Sequence, residues 1–305
     1  MRARPRRRLE GGPTRKRARA LTITGRRRLV PYLLILPGLA WILFFFLVPL
    51  LSLVATSLQK RAGTSLSEGF VPALQFSNYT SALGEYFPQF IRAFLYAGIA
   101  TALALVIAYP IAYYIAFKAT KYKYLMLVLV IAPFFASFLL RTNAWKTILS
   151  ADGFVVETLN ALSLLPEDRI LNTSVAVIFG LTYNFLPFMI LPLYASLDRI
   201  DPRLVEAASD LYASPATGFW RVVWPLSMPG VLGGVVLTFI PASGDYINAQ
   251  LLGSTNDKMI GNVIQAQFIV LRDYPIASAL SAMFMFVLLI IIVAYIRRVG
   301  TRQLV

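Results

Sequence analysis

The chain alternates between long stretches without a charged residue and short charged interludes. Leu29 to Gln59 carries no charge, and neither do Ala93 to Phe117, Tyr124 to Leu140, Ile170 to Leu197, Val222 to Gly244 or Tyr274 to Ile296. A helix needs about 20 apolar residues to cross the hydrocarbon core of a bilayer. The pattern therefore predicts six transmembrane helices, at about 30–58, 93–117, 124–149, 170–197, 230–251 and 274–296. The fifth is expected to start only near Gly230, because Pro225 and Pro229 precede it. It then runs past Pro241 to about Leu251, with Asp245 inside it. The runs are continuously apolar, which rejects a transmembrane β-barrel with its alternating strands.

Composition sharpens this. Hydrophobic residues make up 58% and charged ones 14%, against about 45–50% and 25% in soluble domains. A soluble enzyme cannot cover that much apolar surface, and disorder of the bulk is excluded by the same numbers. There is no Cys and no His. Disulfides, thiolate catalysis, a Ser-His-Asp triad and His-held zinc or haem are all excluded. No Gly-rich phosphate loop of the G-x-x-x-x-G-K-[ST] type occurs, so any ATP that drives this protein is bound by another chain.

Lys and Arg set the expected orientation. An even number of spans puts both termini on one side, and that side carries 21 of the 29 basic residues. Both termini are therefore expected in the cytoplasm. Residues 1–28 supply most of that bias and are read as a disordered basic arm. The arm is expected to be a positive-inside anchor, with binding to anionic lipid or nucleic acid as the alternative, and membrane lipid rather than nucleic acid is the expected partner. A cleaved signal peptide is not expected, because the apolar run behind the arm is far longer than a signal core of about 7–15 residues. Residues 29–300 form the permeating body, and 301–305 a cytoplasmic tail. Residues 150–169 are expected to hold a short surface helix and a turn, and 252–273 a polar turn.

The loop 198–229 differs from the other connections. Asp201 is a good N-cap and Pro202 fits the first helical position, where its missing N–H has no cost. Pro215 is expected to stop the helix. Leu204, Ala207, Ala208 and Leu211 fall at i, i+3, i+4 and i+7, an apolar stripe, while Glu206 and Asp210 lie on another face. The helix either rests on its own bundle or docks a soluble partner.

At this loop the sequence resembles the EAA motif of type I ABC importer permeases: EAA, three residues, Gly, nine residues, Ile-x-Leu-Pro. Glu206-Ala207-Ala208 match, and Val222 and Pro225 stand at the expected offsets. Tyr212 stands where the motif has Gly, and Trp224 where it has Leu. A second stretch, from Ala132-Pro133-Phe134-Phe135 through Ser137 to Trp145, is similar to the "PF…SFLVRTYAW" segment of the first permease subunit of spermidine/putrescine importers. Phe239-Ile240-Pro241-Ala242, Gly244-Asp245-Tyr246 and Leu251-Leu252-Gly253 resemble that subfamily's "FIPALGEF…LLGG". The likeness covers roughly residues 30–300.

The resemblance implies an all-α, six-helix type I importer permease fold in a bacterial inner membrane. It implies a half-channel that pairs with a second permease, different from this chain. An ATPase dimer holding ATP and Mg would dock beneath it, and a periplasmic solute-binding protein would deliver the substrate. This chain would hold no cofactor and do no bond chemistry. Leu204, Glu206, Ala207, Ala208, Asp210, Leu211, Tyr212 and Ala213 would form the ATPase-coupling helix. The implied solute is a polyamine, with opines or amino-acid-like solutes as alternatives. An ion-coupled carrier working alone would need titratable groups in the membrane, and only Asp245 is of that kind.

Asp245, with Tyr246 and Asn248 beside it, is read two ways. A carboxylate in a span either faces a cation's path or holds a structural break, as a cap after Pro241 or as a partner of Arg141. Trp145 joins the candidate path, although a Trp beside Arg141 and Lys146 also fits an interfacial anchor. Pro37, Pro49, Gly98, Pro110, Pro133, Pro187 and Pro192 are expected to kink or pack helices.

Overall fold

A computed structural model of the chain describes residues 23–63, 69–119, 121–162 and 169–299. Two units divide after Leu53. Helix α1 (Ile23–Ser57) supplies the described part of the first unit, and Leu34–Ser57 is apolar enough to span a bilayer. The helix starts at Ile23, so the last residues of the segment read as a disordered arm are helical. Arg26, Arg27 and Arg28 are good helix formers, and the long helix that follows carries Gly25 along despite its poor propensity. Residues 1–22 of the arm and the tail from 300 lie outside the described residues.

The second unit begins with a small hairpin, β1 (Gln59–Arg61) against β2 (Phe70–Pro72), with Lys60 opposite Val71. Buried Asn78 ties it down by donating to the carbonyls of Ser57 (2.8 Å) and Gln59 (2.9 Å). Helix α2 (Ser77–Phe117) follows and starts well before the expected boundary at 93. Charge bounds the apolar run, not the helix. Glu85 and Arg92 ride on its polar first turns, where Arg92 donates to the Lys258 carbonyl at 2.8 Å.

The expected third span is not one rod. Helix α3 (Lys123–Ile131) runs into a 3-10 turn (Ala132–Phe135), and α4 (Phe138–Ile148) leaves it at 92°. Pro133 sits in the tight turn, and Ala136 and Ser137 are extended, so no i-to-i+4 ladder crosses the corner. Helix α5 (Phe154–Ala161) fills the expected surface helix, and residues 163–168 of that stretch lie outside the described ones. Helix α6 (Ser174–Leu197) is N-capped by Thr173.

Beyond the loop, α7 (Pro202–Asp210) is followed by α8 (Pro215–Gly218), a π turn (Phe219–Val223) and α9 (Trp224–Ser243), which form one continuous rod. The fifth span therefore begins near Pro215 rather than Gly230. A π turn widens the backbone by one residue, which makes room for the Pro225 ring. The span also ends earlier than expected, at Ser243. Gly244-Asp245-Tyr246 breaks it before α10 (Ile247–Leu252). The 252–273 stretch, expected as a polar turn, holds a 3-10 turn, α11 (Ile260–Gln265) and a π turn before α12 (Tyr274–Val299). Among the described residues, five helices are long and apolar enough to cross a membrane, and six if the bent α3–α4 pair counts as one.

The core lies where α2, α6 and α9 pack together. Ala93, Ala97, Ala100, Ala104, Ala108 and Ala112 form a fully buried small-residue face on α2. Where apolar burial gives little drive between helices in lipid, such faces let backbones approach and gain dispersion contacts. Gly230 does the same on α9: a Cβ there would stand 2.7 Å from the Pro192 carbonyl oxygen of α6. The outer faces of α2, α3, α9 and α12 expose large apolar side chains, as a lipid-facing surface requires.

Candidate functional site

Two regions hold the residues that the sequence singles out. The first is the 198–229 loop. Asp198 at the end of α6 pairs with Lys123 at the start of α3 and accepts from the Tyr194 hydroxyl at 3.2 Å. Asp201 caps α7, its Oδ1 accepting from the Arg203 amide at 3.0 Å. The helix ends in a Schellman arrangement. The Ala213 amide reaches the Ala208 carbonyl (3.1 Å) and the Tyr212 amide reaches the Ser209 carbonyl (3.0 Å). This turn needs a left-handed residue, and Tyr212 supplies it at φ 59°. Glycine adopts that conformation freely, whereas a side chain costs about 1–2 kcal/mol. Pro215 does not stop α7. It opens α8 behind the Ser214 cap.

The apolar stripe is split. Val205 packs against the core that holds Leu197 and Ile200, and Ala208 is half-buried. Leu204, Ala207 and Leu211 face outward with Glu206 and Asp210, and Tyr212 is 98% exposed. Leu204 also borders a cleft of about 590 Å³ between the end of α6 and the start of α9, with Arg199 and Leu226 on its walls. A one-position rotation from the expected stripe accounts for this, because β-branched Val205 fills the seat. Trp224 packs its ring 5.2 Å from Tyr109 of α2, whose hydroxyl meets the Ser227 hydroxyl at 2.7 Å. The Trp at the motif's Leu position thus clamps the root of the loop to α2.

The second region is the break after α9. Asp245 is 8% exposed, and its Oδ1 accepts from the Asn248 amide (2.7 Å) and from Asn248 Nδ2 (3.2 Å). It caps α10, and it forms no ion pair with Arg141, whose guanidinium lies over the rings of Phe134 (5.2 Å) and Phe138 (5.7 Å). Asn248 Oδ1 accepts from Asn184 Nδ2 at 3.0 Å, and the same Nδ2 donates to Thr142 Oγ1 at 3.2 Å. A buried polar chain thus joins the break to α6 and α4. Gly180 makes room for it: a Cβ there would stand 2.7 Å from Asn248 Oδ1. Non-helical backbone at membrane depth must be satisfied within protein. Asn262 Nδ2 does this for the Tyr246 carbonyl, at 2.7 Å.

Tyr246 itself is 38% exposed, and Trp145 lies outside the polar chain, edge-on to Phe179 and Tyr183 of α6 at 4.7 and 5.1 Å. Sequence reasoning missed Asn184 and Thr142. An Asn in the middle of an apolar run was the available signal.

It also missed Asp257, which is 9% exposed. Asp257 accepts from the Tyr96 hydroxyl (2.9 Å) and from the Ser254 hydroxyl (2.6 Å) and amide (2.9 Å). Burial pushes its carboxyl up, but the Ser254 and Tyr96 donors and the Arg92 charge outweigh that and hold it below the usual carboxylate value.

Nothing in either region resembles a catalytic constellation. The first offers an exposed, rigidly capped helix, and the second a satisfied acidic break. No family model matches the chain. A spermidine/putrescine transport system permease protein, PotB, of Haemophilus influenzae is 37% identical over 260 residues, 85% of this chain and 90% of that protein. PotB of Escherichia coli K12 is 36% identical over 84% of this chain and 93% of that protein. An inner membrane ABC transporter permease of the same organism, YdcU, is 33% identical over 59% of this chain and 61% of that protein. Among solved structures, a chain of a bacterial ABC transporter involved in import of the acidic polysaccharide alginate superposes with a TM-score of 0.66. The match has 20% identity and covers 93% of this chain and 99% of that one. The same kind of transporter in complex with an alginate-bound periplasmic protein gives 0.65 at 20% identity, over 90% of this chain and 96% of that one.

Proposed function

The chain belongs to the spermidine/putrescine permease family of ABC importers, and from that premise we propose that it is half of a polyamine-conducting pore driven by a separate ATPase. The relatives are membrane transport components rather than enzymes, and this chain is a multi-pass inner-membrane protein of the same kind. The observation that carries the solute is 37% identity to a polyamine permease over an alignment covering 85% of the chain.

The partners follow the family. A second permease completes the pore, a periplasmic binding protein delivers the solute, and an ATPase dimer carries ATP and Mg. Helix α7 is the coupling helix. Its exposed side, with Leu204, Glu206, Ala207, Asp210, Leu211 and Tyr212, meets the ATPase, while Val205 transmits its motion to α6 and α9. Ala207 permits close approach of a groove wall, and Ala208 and Ala213 complete the turn. ATP must then stabilise one pore state over the other through this contact. Asp245, with Tyr246 and Asn248, sets the acidic character of the path, and Trp145 braces α4 against α6.

The test is ATP-driven uptake by proteoliposomes carrying this chain with its ATPase, second permease and binding protein. Spermidine or putrescine accumulates if the reading is right. Uptake of only an opine or an amino acid overturns the solute, and uptake without any ATPase overturns the class.

A further inference from the structure

At the corner between α3 and α4 lies an open cavity of about 420 Å³, walled by Phe134, Phe138, Phe185 and Phe188, with Arg141 and Asn184 on it. Two polar atoms of side chains on this wall are shielded from solvent and have no hydrogen-bond partner. One is Nε of half-buried Arg141, and the other is Oδ1 of Asn184, a side chain only 1% exposed. A buried acceptor without a donor is costly, and the route of its polarisation is visible. Asp245 Oδ1 accepts from Asn248 Nδ2, Asn248 Oδ1 accepts from Asn184 Nδ2, and Asn184 Oδ1 is left over.

Amide dipoles aligned head to tail behind a carboxyl oxygen reinforce one another. Negative character is thereby carried from the break to Asn184 Oδ1. Phenyl faces beside it attract a cation, and they already hold one, since the Arg141 guanidinium lies over Phe134 and Phe138.

We propose that this cavity is an ammonium subsite. One amine end of an aliphatic oligoamine reaches this wall once the Arg141 guanidinium has swung off Phe134 and Phe138, and donates to Asn184 Oδ1, which is shielded in the state described here. This rests on the polyamine reading above and assigns that reading a position. Loss of a hydrogen bond to a charged donor corresponds to about tenfold in occupancy.

The experiment uses the complete importer in proteoliposomes. Asn184→Leu, close in volume, is expected to lower ATP-driven spermidine uptake about tenfold while the ATPase response to loaded binding protein persists. Uptake equal to wild type overturns the subsite and leaves the polyamine reading standing. A wild-type importer that takes up no spermidine overturns both.

Should Asn184→Leu fail to assemble, Ser137→Cys decides. This chain has no cysteine, so the new thiol at the cavity's rim is the chain's one target for a thiol-reactive reagent. Spermidine slowing that modification supports the subsite, and an unchanged rate overturns it. Adding Arg141→Met to this background is expected to lower the spermidine concentration giving half protection, by removing the resident cation. An unchanged concentration overturns the displacement.

Discussion

The loop around α7 and the break around Asp245 solve opposite problems. The loop stands in the open, and its shape is fixed by neighbours in sequence: Asp201 caps one end, Tyr212 turns the other, and Val205 is its seat on the body. The break is buried, and its shape is fixed by residues far apart in sequence: Asp245 in the break, Asn248 on α10, Asn184 on α6 and Thr142 on α4. The lesson is that a surface lever can be specified locally, whereas a polar interruption inside lipid needs several helices to satisfy it. A change in the lever should therefore spare stability and harm coupling, and a change in the break should do the reverse first.

The largest effect expected on the lever side comes from Glu206→Lys or Ala207→Trp. Uptake should fall at least tenfold, the loss of about 1.4 kcal/mol or more of coupling, with unchanged thermal denaturation in detergent. Wild-type uptake in either variant would remove the docking role from α7. On the buried side, Asp245→Leu leaves the Asn248 amide and Nδ2 without an acceptor. Stability should fall by about 2–3 kcal/mol, and Asp245→Asn, which still accepts, should restore most of it. Denaturation midpoints of the two variants would break the comparison if they coincide.

Tyr212→Gly should stabilise α7 by about 1 kcal/mol by relieving the left-handed strain, read as slower amide exchange from Leu211 to Ala213. Faster exchange would mean that the aromatic ring contributes more than its backbone strain removes.

The smallest effect concerns Asp257. Its folded carboxyl is held below the unfolded value, so its contribution to stability is present above about pH 4 and lost as pH falls through the lower folded value. The gap in denaturation temperature between wild type and Asp257→Asn should accordingly close on acidification below about pH 4. A gap that is constant with pH would assign the Asp257 contacts to packing alone.

Much of the architecture was legible because lipid imposes it. Charge-free runs marked the spans, and Asp201-Pro202 marked the start of α7 to the residue. The start of α2 was not legible, because Glu85 and Arg92 bound an apolar run without ending a helix. The 92° corner at Pro133 was invisible as well, since a kink and a fold-back have the same local signature and tertiary packing chooses between them. The expected late start of the fifth span failed because prolines were weighed without the π turn that accommodates them. Asp245 was found as an acid in a span, but Asn184 was not, since its partner is 64 residues away.

The π turn at Phe219–Val223 has a further consequence, for how relatives can diverge in length. A turn that carries one surplus residue is the natural site for a single-residue deletion, since the rod can revert to ordinary pitch without breaking. The penalty is azimuthal: everything on one side would swing by about 100° relative to the other. That swing would unseat Trp220 from Trp224, whose rings now lie 5.4 Å apart, and Trp224 from Tyr109, now 5.2 Å apart. Insertions and deletions at this junction should therefore travel together with changes at those three aromatic positions.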